Sequence, residues 1–219
     1  MVLLASAVSA ATNGIAHITG LQTTRAKAAT NSTFIINEIM VDNTDMFLDP
    51  SLNYGAWIEI YNPTDATINL KNYYVSNDPS NPKKFHLQSG TVKPHGFANI
   101  WFDHYEAKLE TQVNFKLSTE GGTVLIADAS GNILAQESFP AAISRASYAR
   151  TTDGGDTWKW TAEPTPEATN ATSTFADSQL AAPEIEADEW LFDASAAVRV
   201  HAPEAGATLV YTTDGSTPT

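Results

Sequence analysis

From Thr33 onward the apolar residues come in runs of strand length, and Asn, Asp, Gly and Pro interrupt them at intervals of about ten residues. That spacing leaves no room for a set of amphipathic helices, which need a 3.6-residue apolar period sustained over several turns. Only His104–Glu110 comes close to one. The candidate strands are Phe34–Val41, Ala56–Tyr61, Tyr73–Ser76, Lys84–Leu87, Phe97–Phe102, Val113–Leu117, Thr123–Asp128, Ile133–Ser138 and Ser147–Arg150. Val113, Phe115 and Leu117 share one face while Asn114 and Lys116 take the other, the alternation of a half-buried strand. Between the runs stand Asn62-Pro63, Asp78-Pro79, Asn81-Pro82, Glu120-Gly121-Gly122, Ser130-Gly131-Asn132 and Asp153-Gly154-Gly155, all with turn chemistry. The expected fold class is all-β, an antiparallel sandwich of about nine short strands.

Composition narrows the partners. Twelve Lys+Arg against 25 Asp+Glu give a net charge of −13, the wrong sign for a nucleic-acid surface, which draws its affinity from clustered basic side chains. A hydrophobic content of 42 % with 17 % charged residues supplies a packed core. The absence of cysteine excludes disulfides, redox motifs and thiolate zinc sites. Val2–Ala10 is the only membrane-like stretch, far shorter than the roughly 20 residues of a spanning helix. It ends in Val8-Ser9-Ala10, small residues where a signal peptidase reads, so residues 1–10 are expected to be a signal-peptide remnant. No Lys or Arg precedes Arg25, which leaves a frayed apolar N-terminus as the alternative. Residues 11–32, rich in Ala and Thr, read as a linker.

Several short motifs occur in a familiar order. Ile36-Asn37-Glu38-Ile39, Trp57-Ile58-Glu59-Ile60-Tyr61-Asn62-Pro63, and Leu70 leading into Tyr73-Tyr74-Val75-Ser76-Asn77-Asp78 open it, and Lys93-Pro94-His95-Gly96-Phe97 follows. Asn114-Phe115-Lys116-Leu117-Ser118 with Gly122 and Val124 continues it, and Arg150, Asp153-Gly154-Gly155, Trp158, Pro164-Thr165-Pro166 and Asn170 close it. Over residues 33–170 the chain resembles the bacterial lamin tail domain, which implies an immunoglobulin-like sandwich. Three positions depart from that pattern: His95 and Glu167 stand where glycine is common, and Tyr73 where tryptophan is common. After a linker at 171–182, residues 183–219 carry seven Asp+Glu and the single Arg199. Ala182-Pro183-Glu184-Ile185, Val198-Arg199-Val200 and Leu209–Pro218 resemble the C-terminal β-sandwich module of chitobiases and β-hexosaminidases. The resemblance implies an incomplete module, with further strands expected beyond Thr219.

Catalytic signatures are missing: there is no Gly-x-Ser-x-Gly elbow, Walker loop, His-Glu-x-x-His helix or Gly-x-Gly-x-x-Gly turn. His86, His95 and His104 fall in different expected elements and read as surface or turn residues. Asp42, Asp45 and Asp49 occupy one oxygen-rich loop and are the candidate calcium ligands, although their spacing is not that of an EF-hand; solvated loop acids are the other reading. Asp153 and Asp156 flank a glycine turn and are expected to be exposed. Glu38 and Glu59 are the pair that a glycosidase would need, but their alternation with Ile39, Ile58 and Ile60 places them outward, with no catalytic role. Trp57, Tyr61, Tyr73 and Trp101 are the candidate ligand surface, as an aromatic platform for sugars or a partner, with packing inside the sandwich as the alternative. Trp158 and Trp160 are expected to cover an open sheet edge.

The function expected is that of a non-catalytic, monomeric module of a secreted or cell-surface protein, for adhesion, spacing or targeting. It needs no cofactor and meets a surface glycan or protein. The alternative is a carbohydrate-binding accessory region of a glycan-degrading or CotH-like kinase-containing surface enzyme, since bacterial lamin-tail-like domains are commonly appended to surface nucleases, hydrolases and such kinases.

Overall fold

The computed structural model describes residues 33–103, 111–178, 183–187, 197–202, 207–214 and 216. The expected signal remnant at 1–10, the linker at 11–32, His104 and the stretch His104–Glu110 lie outside the described residues. The strands are β1 (Ile35–Met40), β2 (Ala56–Tyr61), β3 (Ile68–Asn69), β4 (Tyr74–Ser76), β5 (Phe85–His86), β6 (Thr91–Val92) and β7 (Phe97–Phe102). They continue with β8 (Gln112–Val113), β9 (Gly122–Ala127), β10 (Ile133–Phe139), β11 (Ser147–Arg150), β12 (Trp158–Thr161), β13 (Glu184–Ala187) and β14 (Val198–His201). A six-stranded sheet in the order β12-β11-β1-β2-β7-β8 lies against a four-stranded sheet in the order β10-β9-β4-β5. This is the all-β sandwich that the alternating strands imply, with the immunoglobulin-like character that the family resemblance implies.

Every second residue of the strands points between the sheets. Ile36 and Ile39 from β1, Ile58 and Ile60 from β2, and Ile100 and Phe102 from β7 meet Val75, Val124, Ile126 and Phe139 of the opposite layer in one buried cluster. Burying a side chain of this size stabilises the fold by about 1.5–3 kcal/mol.

Two strands differ from expectation. Of Val113–Leu117 only the start enters a ladder, and β8 pairs with β7 in parallel, Trp101 beside Gln112 and Phe102 beside Val113. Phe115 and Leu117 are nonetheless buried and Asn114 and Lys116 exposed, so the alternation reports burial even where the ladder ends. Trp158–Thr161 does not merely cover an edge: it is the edge strand β12, antiparallel to β11. The chain beyond it, expected to be a linker from residue 171, is engaged up to Ala176, which exchanges two main-chain hydrogen bonds with Trp160 (3.0 and 2.9 Å).

The two positions where glycine is common keep glycine-like geometry. His95 has φ 52° and Glu167 φ 61°, left-handed conformations that cost a non-glycine residue about 1–2 kcal/mol. His95 there reaches Asp65 at 2.9 Å. In the acidic tail, β13 and β14 form an antiparallel hairpin whose Ile185, Val198 and Val200 are exposed, and Leu209–Tyr211 is not in a strand. A lone two-stranded hairpin is marginal in water.

Candidate functional site

The outer face of the six-stranded sheet carries the chemistry. Pairing aligns side chains of β1, β2 and β7 in rows across it: Met40, Trp57 and Trp101 in one, Glu38, Glu59 and Asn99 in the next, and Ile35, Tyr61 and Phe97 in a third. The rows depend on a bulge. Ile36 pairs with Ile60 and Glu38 with Glu59, so Asn37 has no partner residue across the ladder. The extra residue turns Asn37 and Glu38 both to the outer face while Ile36 and Ile39 stay in the core.

Glu38 and Glu59 therefore lie on the outer face, as their alternation predicts, yet neither is open to water: both are 0 % exposed. The reason is the segment after β12, which crosses back over the sheet as a strap. Thr165 meets Glu38 through its main-chain N–H at 3.2 Å and its hydroxyl at 3.1 Å, and Ala168 N–H meets Glu59 at 3.2 Å. Ser147 hydroxyl also bonds Glu38, and Asn37 donates to Glu59 at 3.0 Å. Desolvation beneath the strap pushes the Glu38 carboxyl up to about 7, against the hydrogen bonds from Ser147 and Thr165. Desolvation pushes Glu59 up further, to about 9, with the facing Glu38 adding to the effect. The hydrogen bonds around Thr165 fit a neutral Glu38. Its hydroxyl lies between Glu38 and Asn170 Oδ1 (2.8 Å), and its single proton serves both only when the carboxyl brings one of its own.

Asn37 and Asn170 tie the strap down. Asn37 Nδ2 donates to Asp153 at 3.0 Å and its Oδ1 accepts from Gly154 N–H at 3.0 Å. Asn170, fully buried, donates to the Arg150 carbonyl at 2.8 Å and the Asn37 carbonyl at 3.3 Å, while its N–H meets Asp153 at 3.0 Å. Arg150 spans the layers: its Nε donates to the Ile36 carbonyl at 2.8 Å, NH1 bonds the Gly155 carbonyl, NH2 pairs with Glu137 of β10, and Trp158 lies 4.7 Å beneath its guanidinium. Asp153, expected to be exposed beside its glycine turn, instead serves as a junction for Asn37, Thr169 and Asn170.

The residues singled out in sequence fare differently. Asp42, Asp45 and Asp49 do not converge. Asp45 pairs with Arg145 at the surface. Asp49 is buried and accepts from Ser51 N–H (2.8 Å), Asn53 N–H (2.9 Å) and Gln112 (3.0 Å), folding the loop 43–55 onto the sheet. Among the described residues no three His, Cys, Asp or Glu side chains are grouped to hold a metal. Asp49→Ala should therefore destabilise the chain by about 1–3 kcal/mol through the donors it strands, and chelator should leave the melting temperature of the unaltered chain within about 5 °C; a differential-scanning melt checks both.

Trp57, Tyr61, Tyr73 and Trp101 form no platform. Trp57 and Trp101, partners across β2 and β7, are buried with Met40 under Met46 and Phe47 of the loop. Tyr61 stacks on Phe97 with centroids 5.1 Å apart, and Tyr73 belongs to the intersheet core, edge-on to Phe34 at 4.8 Å. His86 and His95 sit apart, one against the Lys71 carbonyl (2.8 Å) and the other against Asp65.

At the β7 side of the carboxyl row opens a cavity of about 330 Å³, lined by Ser89, Thr91, Asn99, Thr111 and Glu167. Sequence reasoning quoted Asn37, Arg150 and Asn170 only as parts of the family pattern, without a structural role, and passed over Asn99. The signal for the first was present: Asn37-Glu38 is a polar pair inside an apolar strand, where strict alternation would allow one.

A family model described as Lamin Tail Domain matches residues 27–140, more than half of the 219-residue chain. No curated protein matches the sequence. The matched segment contains β1 to β10, with both carboxyls of the outer row and the strands that set them opposite each other, and on that match the chain belongs to the lamin tail domain family.

Proposed function

We propose that the chain is a non-catalytic sandwich module of a secreted or cell-surface protein, serving adhesion, spacing or targeting. The observation that supports this most is the use made of Glu38 and Glu59. They are the acids whose affinities suit proton transfer, yet both are sealed under the strap and hold Thr165 and Ala168. A catalytic acid must reach its substrate within about 3 Å, and these reach only the protein. Location at the surface rests on Val8-Ser9-Ala10 and its preceding apolar run. The tail from residue 183 is proposed as part of a second, chitobiase-like module, on the motif Leu209–Pro218.

The test uses the full chain. Incubated with envelope material of the source cell, it should bind saturably and release no product from glycosides, phosphodiesters or peptides. Turnover that Glu59→Gln abolishes would overturn the reading.

A further inference from the structure

The strap is held in two halves by different chemistry. Its first half, residues 164–168, is bound through Thr165 to Glu38 and through Ala168 to Glu59. Its second half is bound without those carboxyls: Asn170 donates to the Arg150 and Asn37 carbonyls, Thr169 hydroxyl and Asn170 N–H meet Asp153, and Ala176 pairs with Trp160. Under the first half, acceptors outnumber the protons supplied. Thr165 hydroxyl faces both Glu38 and Asn170 Oδ1. Asn99, directly across the ladder from Glu59, has a buried Oδ1 with no hydrogen-bond partner among the described residues. Opposed residues have Cβ atoms about 5 Å apart, so a proton on Glu59 is placed to serve that oxygen. The charges around the row do not offset ionisation. Asp153 bears on Glu38, and Glu38 on Glu59, as like charges. Lys159, in line with Glu38 beyond Ala149, pairs with Asp177 at 3.0 Å, and Arg150 turns between the sheets to Glu137. On the strap, Glu163 accepts from Thr174 N–H at 2.8 Å and Glu167 adds a further carboxylate. β7 and β11 contribute Asn99 and Ser147, which do not titrate.

We propose that residues 164–168 are a latch held shut by the protons of Glu38 and Glu59, which lifts off the sheet when those protons leave, while residues 169–176 stay docked. Two facing carboxylates sealed from water repel each other and lose their hydration, and the two N–H groups and one hydroxyl of the strap do not make up for it. Both carboxyls accordingly keep their protons to about 7 and about 9 in spite of those donors. Lifting the segment returns water to both. Glu167 marks the hinge: its left-handed backbone, φ 61°, is strained in the closed form and free to relax in the open one. The open form joins the carboxylate row to the neighbouring cavity, one wall of which Glu167 supplies. The inference goes beyond the binding-module reading and does not depend on it.

A glutamate-specific protease reads the latch, because the Glu167-Ala168 bond lies in the segment that lifts, whereas Glu59 and Glu137 lie in β2 and β10. A folded segment is cut only from its opened form, so the initial rate follows the open population. Cleavage of the full chain after Glu167 is divided by that of a free peptide of residues 160–175 at the same pH. This ratio should rise about a hundredfold or more from pH 5 to pH 8, since each carboxyl freed contributes up to about tenfold per pH unit. Cuts after Glu59 and Glu137 require the sandwich itself to unfold and should come later at every pH. Glu59→Gln should reduce the rise about tenfold or more, and Glu38→Gln should do likewise; circular dichroism shows whether each variant is folded. A ratio that stays flat with pH, a cut after Glu59 or Glu137 as early as that after Glu167, or a rise that the folded variants retain would overturn the proposal. So would carboxyl carbon shifts of Glu38 and Glu59 in the unaltered chain that titrate near the ordinary value of 4.5 with the strap closed, a result that needs no variant. These failures touch the latch alone; turnover would instead fail the non-catalytic reading.

Discussion

Arg150→Met is expected to cost roughly 3–5 kcal/mol, the usual penalty for removing one member of a buried ion pair. Arg150 and Glu137 are each less than a tenth exposed. Removing the guanidinium takes the cation from the Glu137 carboxylate, the donors from the Ile36 and Gly155 carbonyls and the cation from the face of Trp158. The double variant Glu137→Leu with Arg150→Met should recover part of the loss, because no buried charge then remains at that place while the two carbonyls stay unmet. Chemical denaturation of the three chains checks this. A single variant within 1 kcal/mol of the parent, on the order of a surface change, would show that the pair contributes nothing.

The second large effect is a dependence on pH that runs against the common pattern. Both carboxyls have an ordinary value of 4.5 and are raised in the fold, to about 7 for Glu38 and about 9 for Glu59. Between those limits the folded chain holds protons that the unfolded chain has released, so stability is full below about 4.5 and declines as pH rises towards 9. The loss across the pair should reach several kcal/mol, since each tenfold change in proton affinity between the folded and unfolded chain corresponds to about 1.4 kcal/mol. Asp78 and Asp128, held below the usual carboxylate range by the Ser80 and Asn132 hydrogen bonds respectively, work in the opposite sense. Their contribution is present at neutral pH and lost in acid, which places the optimum near pH 5. Glu59→Gln should flatten the alkaline decline. It should also cost about 1 kcal/mol at low pH, because an amide cannot accept from Asn37 and Ala168 at both of its ends. Melting temperatures from pH 4 to 9 decide it: a parent curve that rises to pH 8 would sink the argument.

The sandwich was legible because period-2 alternation is a direct consequence of a buried face. Ala56–Tyr61, Phe97–Phe102 and Ser147–Arg150 have the same bounds in sequence reading and structure. Two-residue strands such as β3 and β6 were not, since so short a ladder leaves no periodic trace. The outer face was read half correctly. Alternation places Trp57, Glu59 and Tyr61 on one side, but says nothing about whether that side is covered. Cover comes from residues 43–55 and 163–176, which have no periodicity and are bound through Asn43, Asp49, Asn37 and Asn170. Short polar side chains of this kind look in sequence like ordinary loop residues.

The strap also bears on which stretch of chain can be exchanged between proteins as a unit. The family match ends at residue 140, whereas β11, β12 and the strap follow it. A cassette ending at 140 would leave β1 as a raw sheet edge, with Glu38 and Glu59 open to water, and such an edge invites pairing with a neighbouring chain. Recombination that moves this sandwich intact into a new host therefore has to carry the chain through Ala176, so that the smallest heritable piece exceeds the recognisable one.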